Sequence, residues 1–313
     1  MDIKNRGVLI TGATGFIGKV IADRLISSGY KVHGITRGPV STITNSGVRW
    51  HRGDLLDSEI DFDFLEHVNF DSMIHLAWFT KPDDFWNSYN NVLWYESTKL
   101  LISKAVKCGV KKILFVGSSA ELAASPLSDV NGAEHSLHSY GYAKREAAEF
   151  ISRLCRDYGV AMCHARVFFP YGPNMNRQKL IPQLIRSALG YDNPINIRCP
   201  DSIRDYIHVY DVAAALIKCL ETDFVGTFDL GTGWGVMTAD MSRYIQHYVR
   251  TGTKIELKNY TKDIELGFKE RDIIVANTDQ LISLVDLSDH IPFEDGIVDL
   301  ILREAEGHRG YGN

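Results

Sequence analysis

The sequence predicts an α/β protein, a doubly wound parallel sheet with a smaller mixed C-terminal lobe, and three features predict it. Short apolar runs alternate with longer segments of three- and four-residue apolar spacing through the first half of the chain. A glycine-rich turn, Thr11-Gly-Ala-Thr-Gly-Phe-Ile-Gly18, separates the first run from the first helix-like segment. Beyond Phe168 the rhythm changes, and Pro170, Gly172, Pro173, Pro182, Pro194 and Pro200 cut the chain into short pieces suited to a smaller lobe.

Taken in order, residues 7–11, 31–36, 48–51, 72–76, 112–117 and 160–168 read as strands. Residues 16–28, 92–108 and 140–158 read as helices, closed by Gly29, Gly109 and Gly159 as C-terminal caps. A further helix is expected over 210–221 and a strand over 226–230, followed by the turn Gly231-Thr-Gly-Trp-Gly235 and a final mixed region. The expected division is a dinucleotide-binding domain over 1–168 with 203–231 returning to it, and a substrate-binding lobe from 169–202 and 232–313, with the ligand crevice between them.

The 313 residues are 45% hydrophobic and 23% charged, an ordinary globular composition that excludes disordered, collagen-like and coiled-coil readings. A formal charge of −5 gives no electrostatic basis for a nucleic-acid or anionic-membrane partner. Five cysteines at 108, 155, 163, 199 and 219 have neither paired spacing nor zinc-site spacing, which suits buried thiols in a reducing compartment. The first residues lack a signal-peptide pattern, and no run of about 18 uncharged apolar residues occurs, so a soluble cytoplasmic protein is expected.

In the glycine turn, Gly12 permits a tight bend, Gly15 lets phosphates approach backbone N–H groups at a helix N-terminus, and Gly18 lets helix and strand pack closely. The second strand ends Thr36-Arg37 with no carboxylate to hold a ribose 2′-hydroxyl. Arg37 instead offers a permanent charge to a 2′-phosphate, so NADP(H) is favoured, with NAD(H) as the alternative. Asp54 either faces the adenine or caps a helix. The expected cofactor contacts are Gly12, Thr14, Gly15, Phe16, Ile17, Gly18, Thr36, Arg37, Asp54, Leu55, Leu76 and Ala77, joined by Tyr140 and Lys144. His75 reads as a structural histidine.

Tyr140 and Lys144 stand four residues apart at the start of a helix and share a face. A phenol of ordinary pKa about 10 is a poor neutral-pH catalyst, and a neighbouring ammonium favours its phenolate. Ser118 and Ser119 follow the fifth strand, where a hydroxyl can hold a substrate oxygen.

These segments together resemble the extended short-chain dehydrogenase/reductases that act on nucleotide sugars, a Rossmann-fold family. The resemblance spans nearly the whole chain and rests on the glycine turn, His75-Leu-Ala77, Val116-Gly-Ser-Ser-Ala-Glu121, Tyr140-x-x-x-Lys144, Arg166-Val-Phe-Phe-Pro-Tyr-Gly-Pro173, Lys179-Leu-Ile-Pro182 and Ser202-Ile-Arg-Asp-Tyr-Ile-His-Val209. It implies a catalytic trio of Ser119, Tyr140 and Lys144: Tyr140 as acid/base, Ser119 as its hydrogen-bonding aid and Lys144 as anchor of the nicotinamide ribose. It also implies a nucleotide-diphosphate sugar as substrate, held by Ser118, Glu121, Lys179, Arg204 and Arg271, and a homodimer through the helices at 92–108 and 140–158. An ion-pair role for Arg271, which sits among acids, is the alternative. The chain departs from the family at Phe169, where Asn is common, and at Trp94-Tyr-Glu-Ser-Thr98, where the family has N-x-x-G-T. Trp78, Phe79, Phe85 and Trp86 either line a sugar pocket or belong to the core.

Three chemistries share this scaffold: 4-keto reduction, epimerisation and 4,6-dehydration. Glu121 could be a dehydratase base, but Ala120 beside it cannot donate a proton to the leaving hydroxyl. The expectation is therefore NADPH-dependent reduction of the C4 keto group of a nucleotide-linked 4-keto-6-deoxysugar. An epimerase or 4,6-dehydratase is the alternative, and a non-catalytic NADP-binding regulator the remaining one.

Overall fold

The structure is a computed structural model and describes residues 7–38, 47–57, 60, 62–68, 70–82, 84–123, 138–261, 273–284 and 290–309. The chain divides into two compact units, Met1–Val167 with Ala213–Phe228, and Phe168–Val212 with Asp229–Asn313.

The first unit is the doubly wound sheet. Its strands are β1 (Gly7–Thr11), β2 (Lys31–Thr36), β3 (Val48–Arg52), β4 (Phe70–His75), β5 (Lys112–Ser118), β6 (Ala161–Val167) and β9 (Gly226–Leu230), ordered β3-β2-β1-β4-β5-β6-β9. The pairings from β3 through β6 are all parallel. The chain runs outward from β1 to β3 and then returns to β4 on the other side of β1, which makes the C-terminal ends of β1 and β4 the topological switch point. β1 is buried at all five positions, as its unbroken apolar run requires, whereas edge strand β3 alternates a buried Val48 with exposed Arg49 and Arg52.

The helices flanking this sheet include α1 (Phe16–Ser27), α2 (Asn90–Lys107) and α4 (Tyr140–Tyr158). α4 buries Tyr140, Ala143, Lys144, Ala147, Ala148, Ile151 and Cys155, one face at three- and four-residue spacing. Gly29, Gly109 and Gly159 all take positive φ (86°, 88° and 67°), the left-handed turn that ends each helix. The core of this unit runs through Leu9, Met73, Leu101, Ile113, Phe115, Ala147 and Ile151.

The second unit carries a small mixed sheet around β8 (Ile203–His208). β7 (Phe169–Tyr171) and the two-residue β11 (Ile273–Ile274) join β8 in parallel, and β10 (Gly235–Met237) joins it antiparallel. α5 (Leu180–Ala188), α7 (Thr238–Thr251) and α9 (Phe293–Arg309) supply Leu184, Tyr244 and Ile297 to its core.

Two differences from the sequence reading bear on how the chain is divided. The run expected as one strand over 160–168 ends at Val167, and Phe169–Tyr171 pairs with β8 instead. Because β8 belongs to the small sheet, the chain returns to the first unit at Ala213 and not at 203. Among the described residues no helix is long and apolar enough to cross a membrane, and no group of three His, Cys, Asp or Glu residues is placed to hold a metal ion.

Candidate active site

The glycine turn has the shape that a dinucleotide pyrophosphate needs. Gly12 sits at φ +71°, and its carbonyl accepts the Gly15 N–H at 2.9 Å. A Cβ on Gly18 would stand 2.1 Å from the Gly12 oxygen, so only glycine lets α1 start this close to the turn. α1 opens at Gly15 with no side-chain cap and no acid in its first turn, which leaves the positive end of the helix for an anion. Thr14 and Gly15 are exposed there, with Phe16 and Ile17 half-buried behind them. The residues present therefore fit a dinucleotide.

Thr11 ties this turn to β4. Its hydroxyl oxygen accepts the N–H groups of Leu76 (3.2 Å) and Ala77 (3.1 Å), so its own proton goes to His75 Nδ1 at 2.7 Å. The other ring nitrogen of His75 is then the donor to Thr98 Oγ1, at 2.9 Å. Burial, and secondarily the charge of Lys144, push His75 down to about 3, so it stays neutral as a structural strut. Thr98 fills this role from the segment that departs from the family pattern, where Trp94 stacks on Trp78 in the core and Ser97 bonds the Leu55 carbonyl.

At the end of β2, Thr36 Oγ1 accepts the Gly38 N–H at 3.2 Å and Arg37 is exposed. Strand register sets Arg52 opposite Thr36, a second guanidinium at this corner that sequence reasoning missed and that only the β2–β3 pairing reveals. Asp54 accepts the Leu56 N–H at 3.1 Å, a turn-capping bond, and Leu55 is buried beside it.

Tyr140 stands at the first turn of α4, next to the end of β5. A Cβ on Gly141 would lie 2.2 Å from the Ala120 carbonyl oxygen, so this glycine, also unnoticed in the sequence, is what lets α4 approach the turn after β5. The edges of Phe85 and Trp86 meet the Tyr140 ring at 5.0 and 6.0 Å between centroids, and Tyr140 N–H donates to the Trp86 carbonyl. Trp86 is 58% exposed, while Trp78 is core, its indole N–H on Asn91 Oδ1 at 3.0 Å. Asn91 also donates to the carbonyls of Phe85 (2.7 Å) and His138 (2.8 Å), and so fixes the approach to Tyr140 from both sides.

The side-chain hydrogen bond that Tyr140 makes within the protein is with Ser118, whose Oγ also accepts the Ala120 N–H at 3.2 Å. Ser119 is buried, its N–H on the Val167 carbonyl. Burial pushes Tyr140 up to about 12, the Ser118 bond opposes this, and the Glu121 charge adds to it. Lys144, 3% exposed, gives its ammonium to the Val116 carbonyl at 2.6 Å and lies over the rings of Trp78 (4.6 Å) and Phe115 (5.0 Å). Burial lowers it to about 8, with Glu121 pulling upward.

Glu121 is turned inward, one carboxylate oxygen accepting the Ser118 N–H at 2.7 Å and the other 3.0 Å from His164 Nε2, off the line of a hydrogen bond.

The remaining residues lie in the second unit. Arg204 on β8 donates to the Ile203 carbonyl at 2.8 Å and lies over the ring of Phe169, the position at which the chain departs from the family, at 5.6 Å. Lys179 is exposed at the start of α5. Arg271 lies outside the described residues.

The profile of the NAD dependent epimerase/dehydratase family matches residues 8–231. UDP-glucose 4-epimerase GEPI42 of Cyamopsis tetragonoloba is 28% identical, over 80% of this chain and 82% of that protein. CDP-abequose synthase of Salmonella typhimurium is 26% identical, over 79% and 82%. Among solved structures, a UDP-glucose 4-epimerase with UDP-glucose from Thermotoga maritima superposes with a TM-score of 0.76 at 18% identity, covering 96% of this chain and 99% of that one.

Proposed function

The chain belongs to the NAD dependent epimerase/dehydratase family, and from that premise we propose that it reduces the C4 keto group of a nucleotide-linked 4-keto-6-deoxysugar with NADPH. The observation that carries the direction is the end of β2, where Thr36-Arg37 offers no carboxylate and Arg52 lies opposite Thr36, a corner suited to NADPH that is exchanged each turnover, with Tyr140 as the acid. The bound dinucleotide supplies a two-electron donor at its nicotinamide. Tyr140 then gives its proton to the oxygen developing at C4, and the Ser118 hydroxyl stabilises the phenolate left behind. Lys144, charged at neutral pH, takes the nicotinamide ribose hydroxyls in exchange for the Val116 carbonyl. Ser119 stays in this reading as a contact to the sugar oxygen.

The turn at Gly12, Gly15 and Gly18 holds the pyrophosphate, with Leu76 and Ala77 alongside. Preference for NADP(H) over NAD(H) is supported by the absence of a carboxylate at the end of β2 and by the two arginines, Arg37 and Arg52, at that corner. Arg204 and Lys179 are assigned to the substrate diphosphate and nucleotide. A homodimer through α2 and α4 is part of the same reading, supported by exposed Leu93 and Leu100 on α2 and Tyr158 on α4. The relatives' names favour a second reading, redox-neutral C4 epimerisation. 4,6-Dehydration fits less well, since Glu121 is engaged internally.

The deciding experiment mixes the protein with NADPH or NADH and a panel of nucleotide-linked 4-keto-6-deoxysugars, following NADPH absorbance and sugar chromatography together. Substrate-dependent loss of NADPH is expected. Sugar conversion without net loss would transfer the assignment to the epimerase, and cofactor binding with no conversion of any sugar would support a regulator.

A further inference from the structure

Glu121 is a carboxylate for which the reaction above has no direct use, and it is only 4% exposed. It is the second residue of the short helix α3 (Ala120–Ala123), which follows β5, and the protein is built around it. Gly117 makes its space: a Cβ there would lie 2.2 Å from Glu121 Oε1 and 2.4 Å from His164 Nε2. One oxygen holds the Ser118 main chain, and Ser118 is the residue whose hydroxyl meets Tyr140. The other faces His164 on β6, whose far nitrogen reaches Thr227 Oγ1 at 3.3 Å.

We propose that Glu121 is a positioning residue for the acid–base pair, fixing the Ser118 main chain through one oxygen and setting a buried carboxylate, with His164 at its other oxygen, beside the Tyr140–Lys144 pair. The inference rests on the reading of Tyr140 as the acid.

The sense of the charge is favourable to a reductase. A buried negative charge disfavours the phenolate and favours the ammonium, so it acts on both groups in the direction of their protonated forms. The groups that face this assembly are His164 from β6, Tyr140 and Lys144 from α4, and His75 from β4 against Lys144.

Two variants separate the two roles. Glu121→Gln keeps an acceptor for Ser118 and removes the charge, and Glu121→Asp keeps the charge and withdraws the acceptor. The first readout needs no substrate: NMR titration of Lys144 in lysine-labelled protein, assigned with Lys144→Met. Lys144 should titrate about one pH unit lower in Glu121→Gln and as wild type in Glu121→Asp. The second is the pH profile of kcat for the sugar that oxidises NADPH. Its alkaline limb should move to lower pH in the Gln variant, while the Asp variant should keep the limb and lose about tenfold in kcat. An unmoved Lys144 titration in Glu121→Gln overturns the proposal, as does a loss of kcat at all pH values equal to that of Tyr140→Phe, which would mean direct contact with substrate. If Glu121→Gln does not fold, Glu121→Asp decides alone: a displaced Lys144 titration or an unchanged kcat overturns it. Full turnover in Tyr140→Phe would instead overturn the acid assignment, leaving the Lys144 titration to judge Glu121 separately.

Discussion

The turn after β1 and the turn after β5 stand at the same edge of one parallel sheet, yet they are made of opposite materials. The first is almost all main chain, with three glycines and an uncapped helix end, and no ionisable side chain in its eight residues. The second is built from Ser118, Glu121, Tyr140, Lys144 and His164, four of them ionisable and buried. Backbone N–H groups at a helix end lose little by waiting for a ligand, whereas an ammonium or carboxylate in a dry interior costs stability until it is paired. Binding is thus arranged where it is cheap to keep, and chemistry where it is costly.

The contrast is sharpest for Tyr140→Phe, which should keep cofactor affinity and lower turnover by about three orders of magnitude. Turnover near wild type would remove the distinction between the two turns. Gly18→Ala should do the reverse, since its methyl collides with the Gly12 oxygen. Dinucleotide affinity, read by NADPH fluorescence titration, should fall about a hundredfold, or roughly 2.7 kcal/mol. Unaltered affinity would show that the turn has room to spare.

Asn91→Leu tests whether the second turn depends on its scaffold. With the Trp78 N–H and the Phe85 and His138 carbonyls losing their partner, denaturant unfolding should show a loss of about 2–3 kcal/mol. A loss below half a kcal/mol would mean that water replaces the amide without penalty. Lys144→Met should give the smallest change and the opposite sign, a gain of about 1 kcal/mol at neutral pH, because an ammonium lowered to about 8 is held against its preference. Between about pH 8 and 10.5 the unfolded wild-type chain binds the extra proton, so wild-type stability should rise with pH there. That slope should vanish in the variant, and a slope common to both would assign it to another group.

How much of this was legible in the sequence follows from distance along the chain. The strands and helices of the first unit were readable to within a residue or two because their patterns are local, as were the glycine turn and the Tyr140–Lys144 spacing. In the second unit β8, β10 and β11 are short and find partners far away, Ile203 pairing with both Met237 and Ile273. Glu121 and His164 come together only through the β5–β6 register. Asn91 carried no local signal at all.

The hydroxyl of Thr11 has a consequence in time. Its bonds to Leu76 and Ala77 join residues 65 and 66 positions apart. The nucleotide motif is written in eight residues but is braced only when β4 lies beside β1. Closing so long a loop carries an entropic cost, so the brace belongs to the folded sheet and not to the turn alone. The dinucleotide therefore rewards a chain that has already folded, adding its binding energy to the native state and offering the nascent one no template.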